Sequence, residues 1–95
     1  MALKSRLEIV IPKPDFPRLK KILEHPGIEG YTVIDSVKGH GQRGDRDNLG
    51  LSDSFTNLLV IVVCDEAVVE SISPSIRQLI SKSGGIASVS TVQTL

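Results

Sequence analysis

Gly30–Gly50 reads GYTVIDSVKGHGQRGDRDNLG. Its first half is a β-branched strand carrying Tyr31, Thr32, Val33, Ile34 and Val37, residue types that suit a pleated, half-buried chain. The strand runs straight into Lys38-Gly39-His40-Gly41-Gln42-Arg43-Gly44, and then comes a polar run with almost nothing to bury until Phe55. A structureless connection of this length is uncommon in a compact domain, and is either disordered or functional. Here it sets several glycines beside cationic side chains, a composition suited to holding an anion through backbone N–H groups and charge.

Upstream, Leu7-Glu8-Ile9-Val10-Ile11 reads as a first strand ended by Pro12 and Pro14. Asp15 is placed to cap a helix, with Pro17 in its first turn. Phe16, Leu19, Ile22 and Leu23 share one face of that helix, and His25-Pro26-Gly27 stops it. The second strand spans about Glu29 to Lys38. The third, Phe55 to Cys64, contains the unalternating run Leu58-Leu59-Val60-Ile61-Val62-Val63, which implies cover on both faces. One face would meet the helices and the other a second subunit. Asp65 is expected to cap a second helix. Val69, Ile72, Ile76, Leu79 and Ile80 keep helical spacing across Pro74, so one helix is expected, kinked or briefly broken there. Gly84-Gly85 ends it. Ile86 to Val92 supplies a last strand. The order is βαββαβ, the ferredoxin-like split βαβ arrangement of the α+β class. A long loop, about residues 39–54, replaces the short hairpin between strands two and three.

The 95 residues make one domain, residues 1–95, with a modest core. Eleven basic and eleven acidic side chains balance to zero. That argues against a nucleic-acid partner, which calls for a basic surface. With three aromatic residues, no central-strand aromatic pair exists for stacking RNA bases. Near-zero net charge favours self-association. Cys64 is the only cysteine, so no disulfide framework exists. The longest apolar stretch, Leu58 to Cys64, is too short to span a membrane, and no signal peptide is seen. A cytoplasmic chain is expected, with any membrane role exercised through a partner.

These residues resemble the PII signalling proteins and their PII-like relatives. Ile11-Pro12-Lys13-Pro14 closes strand one and Gly30-Tyr31-Thr32-Val33 opens strand two. Val37-Lys38-Gly39-His40-Gly41-Gln42-Arg43-Gly44 is similar to the family's VKGxGRQ entry into its T-loop. The resemblance implies a homotrimer with adenine-nucleotide sites in the clefts between subunits. It also implies a T-loop that changes shape with ligand and docks on a target protein. By position, Thr32, Lys38, Gly39 and Gly41 correspond to nucleotide-binding residues at the T-loop base. Ile11 and Val62 match apolar residues near the adenine. Gly84 and Gly85 fall at the phosphate-binding B-loop. Lys38, His40, Gln42 and Arg43 are the candidates for an anionic effector.

Departures from the pattern sharpen the expected ligand. Ser83-Gly84-Gly85-Ile86 stands in place of a GKIGDGK-like B-loop and lacks its lysine. With the sequence ending at Leu95, the family's C-terminal arginine pair is expected to be absent. Strand two carries one extra residue before the T-loop, Gln42-Arg43 inverts the usual order, and no tyrosine lies in the loop. Fewer phosphate ligands imply ADP or AMP rather than ATP. Short PII-like proteins associated with inorganic-carbon transporters and carboxysomes look nearer, which implies bicarbonate as second ligand and an inorganic-carbon transporter as target. The nucleotide would be a regulatory ligand, and no cofactor is expected.

Plainer readings stand beside these. Lys38 is also a solvated strand-end lysine, and Gly39 and Gly41 are also hinges. Arg43 and Arg46 alternate with Asp45 and Asp47 as in any solvated loop. His25 suits a helix C-terminus, and Cys64 suits a core. His40 has no partner set that would make a metal site. A CutA-like trimer or an amino-acid-binding module on the same fold is the alternative. An acylphosphatase is discarded, because Pro12 and Pro14 remove N–H donors where its phosphate loop would lie. No nucleophile, base and orienting group converge, so no catalysis is expected.

Overall fold

The computed structural model describes residues 1–41, 44–45 and 56–95. Strand β1 (Ala2–Pro12) leads through a 3-10 turn (Lys13–Asp15) into helix α1 (Phe16–Ile22). Strand β2 (Thr32–Val37) is succeeded by two short strands, β3 (His40–Gly41) and β4 (Gly44–Asp45). Strand β5 (Asn57–Cys64), helix α2 (Glu66–Ser83) and strand β6 (Ile86–Thr94) complete the chain. The main sheet has the antiparallel order β2-β5-β1-β6. This is the ferredoxin-like α+β arrangement, built as the periodicities require.

Alternation along the central strands decides what is core. Leu7, Ile9 and Ile11 of β1 and Leu58, Val60, Val62 and Cys64 of β5 are buried on one face. Leu19 and Leu23 from the first helical segment and Val69, Ile72, Ile76 and Leu79 of α2 cover them. On the other face, neither helix covers the sheet. There the register aligns Ile34, Leu59, Val10 and Ile86 in one apolar row across all four strands. Ile34 is 44% and Ile86 65% exposed.

Several boundaries differ from the sequence expectation, each for a physical reason. Asp15 makes no capping hydrogen bond, because its backbone is already helical at φ −88° and ψ −4°; a capping residue is normally extended. Asp65 is extended, but its carboxylate pairs with Lys4 Nζ at 2.5 Å rather than with the helix. Its carbonyl accepts from the N–H groups of Val68 and Val69 instead. The one helix expected across Pro74 is found, and α2 runs through it without the brief break also allowed for. A residue-74 N–H would serve the carbonyl of Glu70, and Glu70 is exposed to water. Strand β2 starts at Thr32 rather than Glu29, and β6 continues past Val92 to Thr94. Strand β5 starts at Asn57, and Phe55 lies outside the described residues. The described helices include none long and apolar enough to cross a membrane.

Candidate functional site

Most of the residues singled out in the sequence gather at one end of the main sheet. Antiparallel pairing brings the last residue of β2, the first of β5 and the last of β1 into one row, Val37–Asn57–Pro12. Lys38 and Gly39 leave β2 from this row, while Lys13 leaves β1 and donates its N–H to Thr56 O at 2.8 Å. The turn between α2 and β6 arrives at the same end, since Ile86 pairs with Val10.

The extra residue of strand two is absorbed as a β-bulge. Between the pairs Ile34–Leu59 and Val37–Asn57, β2 advances three residues and β5 two. Ser36 takes φ 61° there, the one non-glycine positive φ among the described residues. A bulge of this kind bends the strand and redirects the chain beyond it. Asp35, beside it, accepts from Lys13 Nζ at 2.9 Å and from Ser36 Oγ at 3.3 Å. The hydrogen bond from Lys13 is the main cause holding the Asp35 carboxyl below its ordinary range. Past the bulge the loop entry is ordered into a second small sheet, with His40 paired to Asp45 and Gly41 to Gly44. The sequence predicts a wholly structureless loop; its entry is instead a short antiparallel ladder. Lys38, Gly39 and His40 are exposed or nearly so at the sheet end.

At the other edge, Gly84 holds φ 78° and caps α2, its N–H donating to Ile80 O at 2.9 Å. Gly85 passes against β1: a Cβ there would collide with the Val10 carbonyl oxygen and lie 2.9 Å from Ile11 Cγ2. Its N–H donates to Ser83 Oγ at 3.2 Å. Both turn N–H groups therefore have protein acceptors, and the C-terminal end of a helix dipole disfavours anions. Three inter-strand steps separate β2 from β6, roughly 14 Å.

Two candidates lie apart. Thr32 sits farther back along β2, opposite Ile61. Val62 is fully buried on the helix side of the sheet, opposite Leu7 and five residues from Asn57, and Ile11 is fully buried on the same side next to Pro12. Gln42, Arg43 and the loop through residue 54 lie outside the described residues, apart from Gly44 and Asp45. Among the described residues no group of three or more His, Cys, Asp or Glu could hold a metal. Cys64 is buried, and desolvation pushes its thiol above the ordinary range.

Sequence reasoning missed two features. One is the Lys13–Asp35 bridge, which needs the fold to bring residues 22 apart together. The other is Asn57, 2% exposed, whose Oδ1 has no hydrogen-bond partner. Asn at a strand start reads as turn punctuation, and only the register reveals it beside Pro12, which has no N–H to give.

Residues 4–95 match the family model of nitrogen regulatory protein P-II. No curated protein matches the sequence significantly. Among solved structures, CPII from Thiomonas intermedia, a nitrogen regulatory PII-like protein bound to ADP, AMP and bicarbonate, superposes with a TM-score of 0.87 at 19% identity. The match covers 98% of this chain and 89% of that one. The same protein bound to ADP, AMP and acetate gives 0.75 at 17% identity, covering 100% and 93%. A DUF3240 family protein from Shewanella baltica also gives 0.75, at 8% identity, covering 100% and 96%. At such identities the likeness establishes the fold.

Proposed function

The chain belongs to the nitrogen regulatory protein P-II family, and from that premise we propose that it is a regulatory sensor of adenine nucleotide. The ligand lies at the sheet end, in a cleft completed by a second subunit of a homotrimer. Bicarbonate is the second ligand, and the loop after β2 carries the signal to a target such as an inorganic-carbon transporter. The chain itself carries out no catalysis.

The observation that carries this is the convergence at one sheet end of the loop root (Lys38–Gly41) and the Gly84–Gly85 turn. Lys38 supplies charge, and Gly39 lets backbone approach a ligand, since nothing lies within 4 Å of where its Cβ would be. His40, Gln42 and Arg43 belong to the effector side. The engagement of both turn N–H groups supports ADP or AMP over ATP, because a triphosphate asks for donors this turn already commits. Ligand selects one loop conformation through contacts made in only one of them.

Calorimetric titration of ATP, ADP and AMP, each with and without bicarbonate, tests this. The expected result is binding of ADP or AMP, strengthened by bicarbonate. Absence of binding by every nucleotide would overturn the sensor assignment.

A further inference from the structure

The chain carries no net charge, yet its helix layer separates positive from negative by end. Helix α1 leaves the site end of the sheet through the Lys13–Asp15 turn, and α2 returns to that end, where Ile86 pairs with Val10. The helices therefore run antiparallel, and His25, just after α1, reaches Ser71 in the first half of α2. Helix α1 has 7 residues against 18 in α2, so it lies beside the C-terminal half of α2. That half of the layer carries Arg18, Lys20 and Lys21 from α1 and Arg77 and Lys82 from α2, all exposed. Glu24 marks the boundary. Beyond it lie Glu29, Asp65, Glu66 and Glu70, with Lys4 tied to Asp65.

The five cations are uncommitted. The ion pairs Lys4–Asp65, Arg6–Glu8 and Lys13–Asp35 draw on other side chains, and none of the five has an ion-pair partner among the described residues. Acidic groups at this end are Asp15, Asp45 in the loop ladder, and Asp35, which Lys13 already occupies. Along α2 the separation of opposite charges runs from about 10 Å, Glu70 to Arg77, to about 24 Å, Glu66 to Lys82. Both exceed the Debye length of about 8 Å at physiological salt, so a charged surface meeting the basic end is screened from the acidic one.

We propose that this basic end is a docking surface for an anionic phospholipid bilayer, held at the headgroups without insertion. Charge complementarity supplies the attraction, since exposed lysines and arginines gather at phosphate-bearing membrane surfaces. A protein partner would call for an apolar or aromatic centre within the patch. None of the exposed large apolar residues among those described belongs to α1 or α2. The loop root leaves the sheet at this same end, so docking turns Lys38 and Gly39 toward the bilayer. The lipid affinity does not depend on nucleotide; that the loop thereby meets a membrane-embedded target rests on the function proposed above.

The test is cosedimentation of the full chain with vesicles of phosphatidylcholine, alone or mixed in equal parts with phosphatidylglycerol, at physiological ionic strength. Wild type is expected to pellet with the anionic vesicles only and to be released by added salt. Each cation near such a surface strengthens binding about fivefold, so the triple variant Arg18→Gln, Lys21→Gln, Arg77→Gln is expected to bind about a hundredfold more weakly. The double variant Glu66→Gln, Glu70→Gln is expected to stay within about twofold of wild type, its charges lying beyond the screening distance. A wild type that ignores anionic vesicles would overturn the inference and leave an acidic protein surface as what this end meets. A triple variant that binds as wild type does would overturn it too. So would a gain in the double variant as large as the loss in the triple, which would make net charge the cause. Should the triple variant misfold, Arg77→Gln alone decides, with about a fivefold loss expected and no loss overturning the inference. Nucleotide titration without vesicles reads the sensor assignment separately, so failure here leaves that assignment standing.

Discussion

Lys13 Nζ lies 2.9 Å from Asp35 Oδ2, tying the turn after β1 to the bulge that opens the loop. Both side chains are about half exposed, so the pair adds little to overall stability. Its consequence is local, because the bulge sets the direction in which Lys38 and Gly39 leave the sheet. The sign of its pH dependence is fixed. Asp35 titrates below its ordinary value of 3.8, so the pair's contribution is complete above that value and is lost as pH falls through the lowered one. Asp35→Asn is therefore expected to lower Tm slightly at neutral pH. The gap to wild type should close as pH falls through that lowered value and narrow in high salt. A gap that persists in acid would show that Asp35 acts through packing rather than charge.

Gly84 and Gly85 are adjacent but constrained by different causes, and substitution separates them. Gly84→Ala forces a Cβ into left-handed backbone, at a cost of about 1–2 kcal/mol. Gly85→Ala drives a Cβ into the Val10 carbonyl and the Ile11 side chain. Backbone cannot swing aside as a side chain does, and overpacking of this kind costs about 1–3 kcal/mol or more. Urea unfolding is expected to place Gly85→Ala below Gly84→Ala in midpoint. Equal midpoints would mean that the turn has slack against β1.

The two glycines also mark the limit of what was legible. Gly-Gly after an apolar helix announces a helix end without help, and the alternation of Leu7, Ile9 and Ile11 announces a strand. The spacing of Val69, Ile72, Ile76 and Leu79 carried α2 across Pro74. That Gly85 must clear β1 depends on a strand 75 residues earlier, the separation of Val10 from Gly85, which no local pattern encodes. The two capping aspartates failed for related reasons. Asp65 has the right backbone but a stronger partner in Lys4, 61 residues away. Asp15 closes a 3-10 turn that had already started the helical backbone. The extra residue in strand two was visible as a count, but its conversion into a bulge at Ser36 depends on the pairing with β5. Asn57 was invisible because its significance lies in what Pro12 cannot donate.

His25 is read better as a hydrogen-bonding hub than as a charge at a helix end. Gly27 N–H donates to His25 Nδ1 at 2.9 Å, and Nε2 lies 3.4 Å from Ser71 Oγ. An acceptor Nδ1 fixes the tautomer with the proton on Nε2, directed at Ser71. The ring thus joins the segment after α1 to α2. Nitrogen-15 NMR of the imidazole is expected to show an unprotonated Nδ1, and His25→Ala is expected to cost about 1 kcal/mol. Observation of the Nδ1–H tautomer would break the link to Gly27.

The open face of the sheet provides the sharpest test of assembly. Val10, Leu59, Ile34 and Ile86 form a row across it, and Ile61 and Val63 extend it along β5. Burying such aliphatic side chains against a second copy yields about 1.5–3 kcal/mol each when complete. Leu59 is central in the row and faces away from the core, so a charge placed there leaves the protomer's own packing intact. In an interface the same charge would be desolvated without a partner, at a cost of several kcal/mol. Wild type is expected to run as a trimer in light scattering, with Leu59→Glu monomeric and unchanged in far-ultraviolet circular dichroism. A trimeric Leu59→Glu would move the interface off this face. The proposed ligand cleft would then need a different second wall, because the sheet end that carries Lys38 and Gly85 is continuous with the row that Leu59 centres.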